Sequence, residues 1–352
     1  MTTLLVTGGA GFVGSAIVDA ALDRDWRVRV IDSLRPDVHG GDYRADPRVE
    51  FVTADIRDPD ALAVVLFGVD VVSHQAAKVG LGVDFSDAPD YVGSNDLGTA
   101  TLLSAMEQSG VKRLVLASSM AVYGEGSYRD VTGRSTRPGP RRVDELDAGQ
   151  FDPVDEKGEP LELELITEDA PLEPRNVYAI SKLTQEYLAS AWARSTGGRA
   201  VALRYHNVYG PGMPQNTPYA GVASLFRSSL ERGESPRVFE DGGQRRDFVH
   251  VRDVASANLA AIEWTETATD GEFRAFNIGS GEVHTVGELA AELSAASDGP
   301  KPIVSGEYRL GDVRHITASS ERARTELGWA PAISFEDGLR EFASAPPRAS
   351  VS

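Results

Sequence analysis

Three glycines near the start of the chain constrain its fold more than any other feature. Residues 7–14 read TGGAGFVG, with glycines spaced G-x-x-G-x-x-G between an apolar run at 4–7 and a helical pattern that extends to Leu22. Glycine permits a tight turn and lets the backbone approach a pyrophosphate, and the following helix N-terminus offers free N–H groups. This strand–turn–helix context predicts a dinucleotide site. The predicted contacts in the motif are Gly8, Gly11, Phe12, Val13 and Gly14.

Strand-like and helix-like segments alternate through the first two hundred residues. The predicted strands are 4–7, 28–32, 49–55, 69–74, 111–118 and 200–208, and the later predicted helices are 60–67, 99–108 and 176–194. Strands that alternate with helices predict an α/β fold with a doubly wound parallel sheet.

Residues 125–173 interrupt this alternation. The segment is rich in charge, glycine and proline, and we expect an insertion with at most short structure near residues 161–166. It is either a solvated surface loop or an active-site lid, because long loops in compact enzymes are often functional. At the other end, the sequence ASAPPRASVS at 343–352 predicts a flexible tail.

The end of the second predicted strand indicates which cofactor the glycine motif takes. Asp32 lies there, 21 residues after Gly11. A carboxylate at this position accepts hydrogen bonds from both adenosine ribose hydroxyls and repels a 2′-phosphate, which favours NAD over NADP. Arg35 argues the other way, since an arginine can accommodate that phosphate. Asp55 and Ile56 end the third strand and are expected to border the adenine.

Composition excludes several other classes of protein. The formal charge is −18 and no run of Lys or Arg forms a basic face, so nucleic-acid binding is not expected. No apolar stretch approaches the length of about 20 residues that spans a membrane. The chain has no cysteine, which excludes disulfides, thiolate metal sites and a cysteine nucleophile. We expect a cytoplasmic protein without a metal site.

A tyrosine and a lysine downstream of the glycine motif supply acid–base chemistry. Tyr178 and Lys182 are four residues apart and therefore share one face of a helix. A neighbouring ammonium and an oxidised nicotinamide lower the pKa of a phenol, which then serves as general base. Ser118 and Ser119 end the fifth strand, where ligands bind in such sheets, and Ser119 is expected to relay the proton.

These motifs, in this order, resemble the extended short-chain dehydrogenase/reductase superfamily, in its NAD-dependent epimerase/dehydratase branch. The other matching segments are ADI (54–56), HQAA (74–77), SNDLGT (94–99), ASSMAVYG (117–124), YAISK (178–182), RYHNVYGP (204–211), RRDFVHVRDV (245–254), FNIGSG (276–281) and YRLGDVRH (308–315). The resemblance implies a Rossmann domain over 1–210, carrying the insertion, and a smaller mixed α/β substrate lobe over 211–342. Residues of about 246–264 are expected to return to the Rossmann domain.

The resemblance also implies roles for individual residues. Ser119, Tyr178 and Lys182 match catalytic positions. The further cofactor-binding positions are Gln75, Ala76, Ala77, Asn95, Tyr178, Lys182, Tyr205, His206 and Val208. The substrate, a nucleoside-diphosphate sugar, is expected to contact Lys78, Ser119, Asn207, Arg246 and Arg309. Gln75 departs from the family, in which an apolar residue is usual, and Lys78 fits the cofactor phosphates, the sugar or plain solvation.

The reaction is narrowed by what the chain lacks. A 4,6-dehydratase needs an acid pair where Met120 and Ala121 stand, a decarboxylase needs a glutamate in that turn, and related 3,5-epimerases need a cysteine. A 4-ketoreductase usually takes NADPH, against which Asp32 argues. A 4-epimerase that acts through a transient 4-keto sugar is therefore expected.

The substrate and the assembly are suggested only by closer resemblance. The insertion and segments such as 217–226 look most like dTDP-L-rhamnose 4-epimerase-like sequences, with dTDP-6-deoxy-L-talose as the partner sugar. The alternatives are an epimerase, oxidoreductase or dehydratase-like enzyme on a UDP- or GDP-sugar, and a catalytically silent NAD-binding regulator. Family members commonly form homodimers through helices that here lie around 96–109 and 177–194.

Overall fold

The fold is known from a computed structural model, which describes residues 1–36, 38–39, 43–80, 84–214 and 221–346. Its strands are β1 (Thr3–Thr7), β2 (Arg27–Asp32), β3 (Glu50–Thr53), β4 (Val71–His74), β5 (Arg113–Ser119), β6 (Ser127–Arg129), β7 (Ser135–Thr136), β8 (Glu162–Glu164), β9 (Arg199–Tyr205), β10 (Asn207–Tyr209), β11 (Arg237–Val238), β12 (Arg245–Arg246), β13 (Phe248–His250), β14 (Phe273–Ile278), β15 (His284–Thr285), β16 (Ile303–Val304) and β17 (His315–Ile316).

The helices pack around these strands. They are α1 (Phe12–Leu22), α2 (Pro59–Val65), α3 (Ala88–Tyr91), α4 (Gly98–Ser109), α5 (Val143–Asp147), α6 (Val177–Thr196), α7 (Val222–Glu231), α8 (Val251–Thr267), α9 (Val286–Ala296), α10 (Glu321–Glu326) and α11 (Phe335–Ser344). Short 3₁₀ turns span Phe85–Asp87 and Met120–Tyr123, and Val92–Leu97 is a π-helical turn between α3 and α4. No described helix is both long enough and apolar enough to cross a membrane.

One parallel sheet forms the centre of the molecule. Within the described residues its strand order is β14–β9–β5–β4–β1–β2–β3, and every neighbouring pair is parallel. One apolar cluster joins the sheet to α1 and α8, and a second joins its other face to α2, α4 and α6. This three-layer arrangement confirms the predicted doubly wound Rossmann fold. After β1 the chain adds β2 and β3 on one side of that strand, and it then adds β4 on the opposite side. A ligand crevice is expected at this switch point, between the carboxyl ends of β1 and β4.

The C-terminal third divides its residues between this sheet and smaller units. β14 is an edge strand of the main sheet and pairs with β9. The sequence analysis did not identify β14. The smaller sheets pair β10 with β13, β11 with β16, and β12 with both β15 and β17. A third apolar cluster holds α7, α9 and α11 together beside them. The boundaries of the two lobes stay a prediction.

The insertion is more regular than the sequence analysis expected. β6 pairs antiparallel with β7 and β8, and α5 follows β7, so the expectation of structure near 161–166 alone is wrong. The buried Tyr128 of β6 contributes to this order, because its ring lies against that of His315 in β17, with centroids 6.1 Å apart, and its hydroxyl donates to Glu125 at 3.0 Å. The predicted tail also begins later than 343, since α11 continues to Ser344, and residues 347–352 lie outside the described residues.

The insertion is fastened to the C-terminal part of the chain through a buried arginine. Arg314 is 2% exposed, and its Nε donates to Asp152 of the insertion at 2.7 Å. Its Nη1 donates to Glu240 at 2.7 Å and to Asp241 at 2.8 Å. Glu125 at the start of the insertion accepts the backbone N–H of Arg314. These contacts seat the insertion on the loop that precedes β17.

Candidate active site

A cavity of about 460 Å³ opens at the carboxyl ends of the parallel strands. Its wall contains most of the residues that the sequence analysis assigned to the site. The lining residues that were predicted are Gly8, Gly11, Phe12, Val13, Gly14, Asp32, Asp55, Ile56, Gln75, Ala76, Ala77, Lys78, Ser119, Tyr178, Lys182, Tyr205, His206, Asn207 and Val208. Asn95, Arg246 and Arg309 are the predicted residues that are not part of this wall.

The glycine motif forms a turn into which no side chain would fit. Gly8 has a φ of +68°, and a Cβ there would lie 2.7 Å from the backbone of Ala76. A Cβ on Gly14 would lie 2.2 Å from the carbonyl oxygen of Gly8. Gly11 is the N-cap of α1 and brings no side chain to the helix N-terminus. The free N–H groups and the bare backbone therefore fit a pyrophosphate.

Asp32 is held rigidly beside this turn. Its Oδ2 accepts the N–H of Ala10 at 3.0 Å, and its Oδ1 accepts the N–H of Leu34 at 2.9 Å. His39 Nε2 lies 3.5 Å from the same Oδ1. The carboxylate is 7% exposed and lines the cavity, a placement that fits the ribose hydroxyls of an adenine dinucleotide.

Lys78 lines the cavity, but its ammonium is engaged by carboxylates. Its Nζ lies 2.6 Å from Asp90 Oδ2 and 3.8 Å from Asp87 Oδ1. Asp90 also pairs with Arg35, and this arginine together with Lys78 holds the pKa of Asp90 well below its usual range. One role left open for Lys78 was that of a lysine solvated only by water. Its ion pairs with Asp90 and Asp87 do not fit that role.

The side chains that were predicted to be catalytic come from β5 and from the start of α6. Asn176 caps α6 by accepting the N–H of Ala179 at 2.8 Å, which places Tyr178 in the first turn. Lys182 follows one turn later and donates from Nζ to the carbonyl of Ala117 at 2.9 Å. Ser119 ends β5, and its side chain is hydrogen-bonded to that of Tyr178. The structure thus brings the three predicted catalytic residues to one wall of the cavity.

The electrostatics of these groups differ from the expectation. Burial raises the pKa of Tyr178, and only the hydrogen bond with Ser119 opposes it. The protein's own groups therefore do not give the expected lowering of the phenol pKa, and Lys182 is not among the groups that lower it. Burial lowers the pKa of Lys182 to about 7, against smaller opposing effects of Asp96 and Glu186. The positive nicotinamide remains as the group that favours the phenolate.

Asn95 is buried behind the cavity wall and braces it. Its Oδ1 accepts the N–H of Lys78 at 2.8 Å, and its Nδ2 donates to the carbonyl of Lys78 at 3.0 Å and to Ser181 Oγ at 2.8 Å. The amide therefore ties the segment after β4 to α6, beside Tyr178. Asn95 lies in the π-helical turn Val92–Leu97, which leads into α4. The sequence analysis did not identify this turn.

Gln75 has polar partners that explain its departure from the family pattern. Its Nε2 donates to Asn258 of α8 at 3.1 Å and to Ser73 at 3.0 Å, and its Oε1 accepts the Tyr205 hydroxyl at 3.2 Å. Asn258 in turn donates to Tyr205 at 2.8 Å. Sequence reasoning missed Asn258, because it lies 183 residues from Gln75. Nearby, burial lowers the pKa of His206 to about 3, so its imidazole is neutral at physiological pH.

The residues predicted to hold the substrate are spread over two places. Asn207 lines the cavity, and its amide donates to the carbonyl of Asp247 at 3.1 Å. Arg246 points elsewhere and donates to the carbonyls of Val313 and Arg314 at 2.7 and 2.8 Å. Arg309 is exposed and lies over the ring of Phe239 at 5.2 Å. No described residue of the insertion lines the cavity.

Comparisons with known proteins agree with this arrangement. The model of the NAD dependent epimerase/dehydratase family matches residues 4–143 and 149–279. The dTDP-L-rhamnose 4-epimerase of Burkholderia thailandensis is 35% identical over 348 residues, with 96% of this chain and 93% of that protein covered. A putative UDP-glucose 4-epimerase of Methanocaldococcus jannaschii is 34% identical, with 96% of each chain covered.

A solved structure gives the same picture. The UDP-glucose 4-epimerase of Thermus thermophilus, in complex with NAD, aligns with a TM-score of 0.78 and 30% identity over 97% of this chain and 98% of that one. The parallel sheet, the glycine turn and the Ser–Tyr–Lys set define an extended short-chain dehydrogenase/reductase. The chain belongs to the NAD-dependent epimerase/dehydratase family. It is an NAD-dependent nucleotide-sugar epimerase.

Proposed function

We propose that the enzyme inverts C4 of a dTDP-6-deoxyhexose and interconverts dTDP-L-rhamnose and dTDP-6-deoxy-L-talose. The observation that carries the reaction is the convergence of Ser119, Tyr178 and Lys182 on the cavity wall beside a glycine turn that fits NAD. The similarity to the Burkholderia enzyme over almost the whole chain supports the substrate. UDP-glucose 4-epimerases are also similar, so a UDP-sugar is the alternative to test.

The protein's own groups handle the proton. Tyr178 Oη is the base that takes the proton from the sugar O4 hydroxyl, and Ser119 Oγ donates a hydrogen bond to the phenolate as it forms. When bound, NAD⁺ supplies a reversible hydride acceptor. Lys182 donates from Nζ to the carbonyl of Ala117 and, from the wall of the cavity, would supply hydrogen bonds to the hydroxyls of a bound dinucleotide. Asp32 and the glycine turn would fix the position of the bound dinucleotide.

The turn after Ser119 favours epimerisation over elimination. It spans Met120–Tyr123 and carries neither a carboxylate nor an amine beside the site. Expulsion of a hydroxyl from the neighbouring carbon needs an acid and a base there, and this turn offers neither. The 4-keto sugar must instead rotate and take the hydride back on its other face. This would require the bound cofactor as hydride donor, the three catalytic residues and space in the cavity.

A mass-resolved assay with a substrate panel tests the proposal. Incubation with dTDP-, UDP- and GDP-hexoses should give an isomer of unchanged mass, fastest from dTDP-L-rhamnose, whereas a dehydratase product is lighter by one water. Tyr178→Phe should lower kcat by about 10³-fold, because the base is lost. The matched control is Tyr187→Phe on the same helix, which removes only the hydroxyl of a residue that is 62% exposed and keeps its ring for the pairing face described below.

Each outcome of that assay has a definite reading. Conversion of UDP-sugars alone would move the substrate to the alternative and keep the reaction. Undiminished turnover in Tyr178→Phe would refute the mechanism in which Tyr178 is the base. Tight NAD binding without turnover of any sugar would leave a silent NAD-binding regulator, which retention of the full catalytic set argues against.

We also propose that two copies pair through the face that contains the ends of α4 and α6. Large apolar side chains are exposed there: Val92 is 49% exposed, Leu97 55%, Ile180 51% and Tyr187 62%. Several large apolar side chains exposed on neighbouring elements indicate an interaction site. Sedimentation of the wild type and of Leu97→Glu should give a dimer and a monomer, and an unchanged mass would contradict the assignment.

A further inference from the structure

Two cations beside the cofactor end of the cavity share one carboxylate. Arg35 follows Asp32 by three residues and lines the same cavity. Its Nη1 and Nη2 lie 2.8 and 2.9 Å from Oδ1 and Oδ2 of Asp90, a two-pronged ion pair. Lys78 Nζ donates to the same Oδ2 at 2.6 Å. Asp90 therefore engages cations from the ends of β2 and β4 at once.

The position of Asp90 is fixed by its own helix. Tyr91, the next residue, is 1% exposed, and its hydroxyl donates to the carbonyl of Gly80 at 2.8 Å. Its ring also contacts that of Tyr178 edge-on, with centroids 6.2 Å apart. Asp90 additionally accepts the hydroxyl of Ser94 at 3.2 Å. The carboxylate is thus held against Arg35 and Lys78, which line the cavity, by a braced segment rather than by a free loop.

The second arginine on this side is also neutralised. Arg57 donates from Nε and Nη2 to Asp55 at 2.9 and 2.7 Å. Asp55 lines the cavity, and its hydrogen bonds with Arg57, with a smaller contribution from the charge of Arg35, lower the pKa of Asp55. Each of these guanidinium groups therefore already faces a carboxylate with its planar fork.

We propose that Asp90 is a specificity-determining residue that makes the pocket select NAD over NADP by holding Arg35. A 2′-phosphate carries nearly two negative charges at neutral pH and is bound best by both prongs of an arginine fork. Asp90 occupies both prongs of Arg35. Asp32 repels the phosphate, and Asp90 withholds the cation that would compensate. The inference rests on the adenosine ribose lying at Asp32, and it is independent of the sugar.

Direct binding measurements on four proteins test this role. The dissociation constants of NAD⁺ and NADP⁺ are measured without sugar for the wild type, Asp90→Asn, Arg35→Leu and the double variant. Asp90→Asn should bind NADP⁺ about tenfold more tightly, the gain of one charge-assisted arginine–phosphate contact. Its NAD⁺ affinity should change by less than about threefold. Arg35→Leu in the Asp90→Asn background should return NADP⁺ affinity to the wild-type value.

A purely structural role for Asp90 predicts a different pattern. Loss of affinity for both cofactors in parallel, or unchanged NADP⁺ binding in Asp90→Asn, would overturn the proposal. A gain that survives Arg35→Leu would assign the effect to Lys78 and also overturn it. If Asp90→Asn does not fold, the single variant Arg35→Leu still decides. It should alter NADP⁺ affinity by less than about twofold, and a loss of about tenfold would show that Arg35 already serves the phosphate.

Discussion

The buried charge of Lys182 should lower the free energy of unfolding of the protein. Burial lowers the pKa of this lysine from 10.5 to about 7, although Asp96 and Glu186 oppose the shift. Because the folded pKa lies below the unfolded one, folding carries a penalty that is complete below about pH 7 and fades as the pH rises toward 10.5. At about 1.36 kcal/mol per pH unit, the penalty is about 5 kcal/mol at pH 6 and about 2 kcal/mol at pH 9.

Lys182→Met removes that penalty and also the hydrogen bond to Ala117, which is worth about 1 kcal/mol. We therefore expect the variant, freed of nucleotide, to be more stable by about 4 kcal/mol at pH 6 and by about 1 kcal/mol at pH 9. The corresponding rise in Tm at pH 6 is about 5 °C for a chain of this length. Turnover should be lost, since the catalytic charge is gone.

Denaturant titrations at the two pH values measure the effect. The control is Lys157→Met, an exposed site in the insertion, which should stay within about 0.5 kcal/mol of the wild type at both pH values. If Lys182→Met is less stable than the wild type at pH 6, or if its advantage does not shrink at pH 9, the reasoning about the buried ammonium is refuted.

Two further substitutions test the packing around the site. Gly14→Ala would place a methyl group 2.2 Å from the Gly8 carbonyl oxygen, so NAD binding and at least about 2 kcal/mol of stability should be lost. Gly93→Ala, whose methyl group meets no atom closer than 3.4 Å, should retain both in melts with and without NAD. Arg204→Met would strip Glu186 of a buried two-pronged partner at 3.0 and 2.8 Å. Chemical denaturation should show a loss of about 3–5 kcal/mol, and a loss below about 1 kcal/mol would contradict a fully buried pair.

The parts of the site that sequence predicts are those that a short segment defines by itself. The glycine turn and the spacing of Tyr178 and Lys182 depend on local backbone geometry, and the strand ends follow from the alternation of elements. The structure places all of them on the cavity. The substrate residues Arg246 and Arg309 were carried over by resemblance, and their partners are set by loops of the C-terminal part that no local pattern describes.

The parts that sequence does not predict depend on contacts between distant segments. Arg35 and Asp90 are 55 residues apart, and neither residue has a pattern that points to the other. One polar partner of Gln75, Asn258, lies in α8, which only the packed fold brings to the end of β4. The pKa of Tyr178 was misjudged for the same kind of reason, since desolvation depends on the complete surroundings of the phenol.

The way Arg314 is enclosed changes what removal of the insertion would measure. Without Asp152, the buried guanidinium of Arg314, a residue that is 2% exposed, would keep Glu240 and Asp241 but lose the carboxylate at its Nε. Without Glu125, the backbone N–H of Arg314 would lose its acceptor. Excision of the insertion would thus destabilise the loop that precedes β17, and a loss of activity could not be assigned to catalysis. Shortening only the outer turns of the insertion, with both anchoring carboxylates retained, is the deletion that separates a catalytic contribution from a structural one.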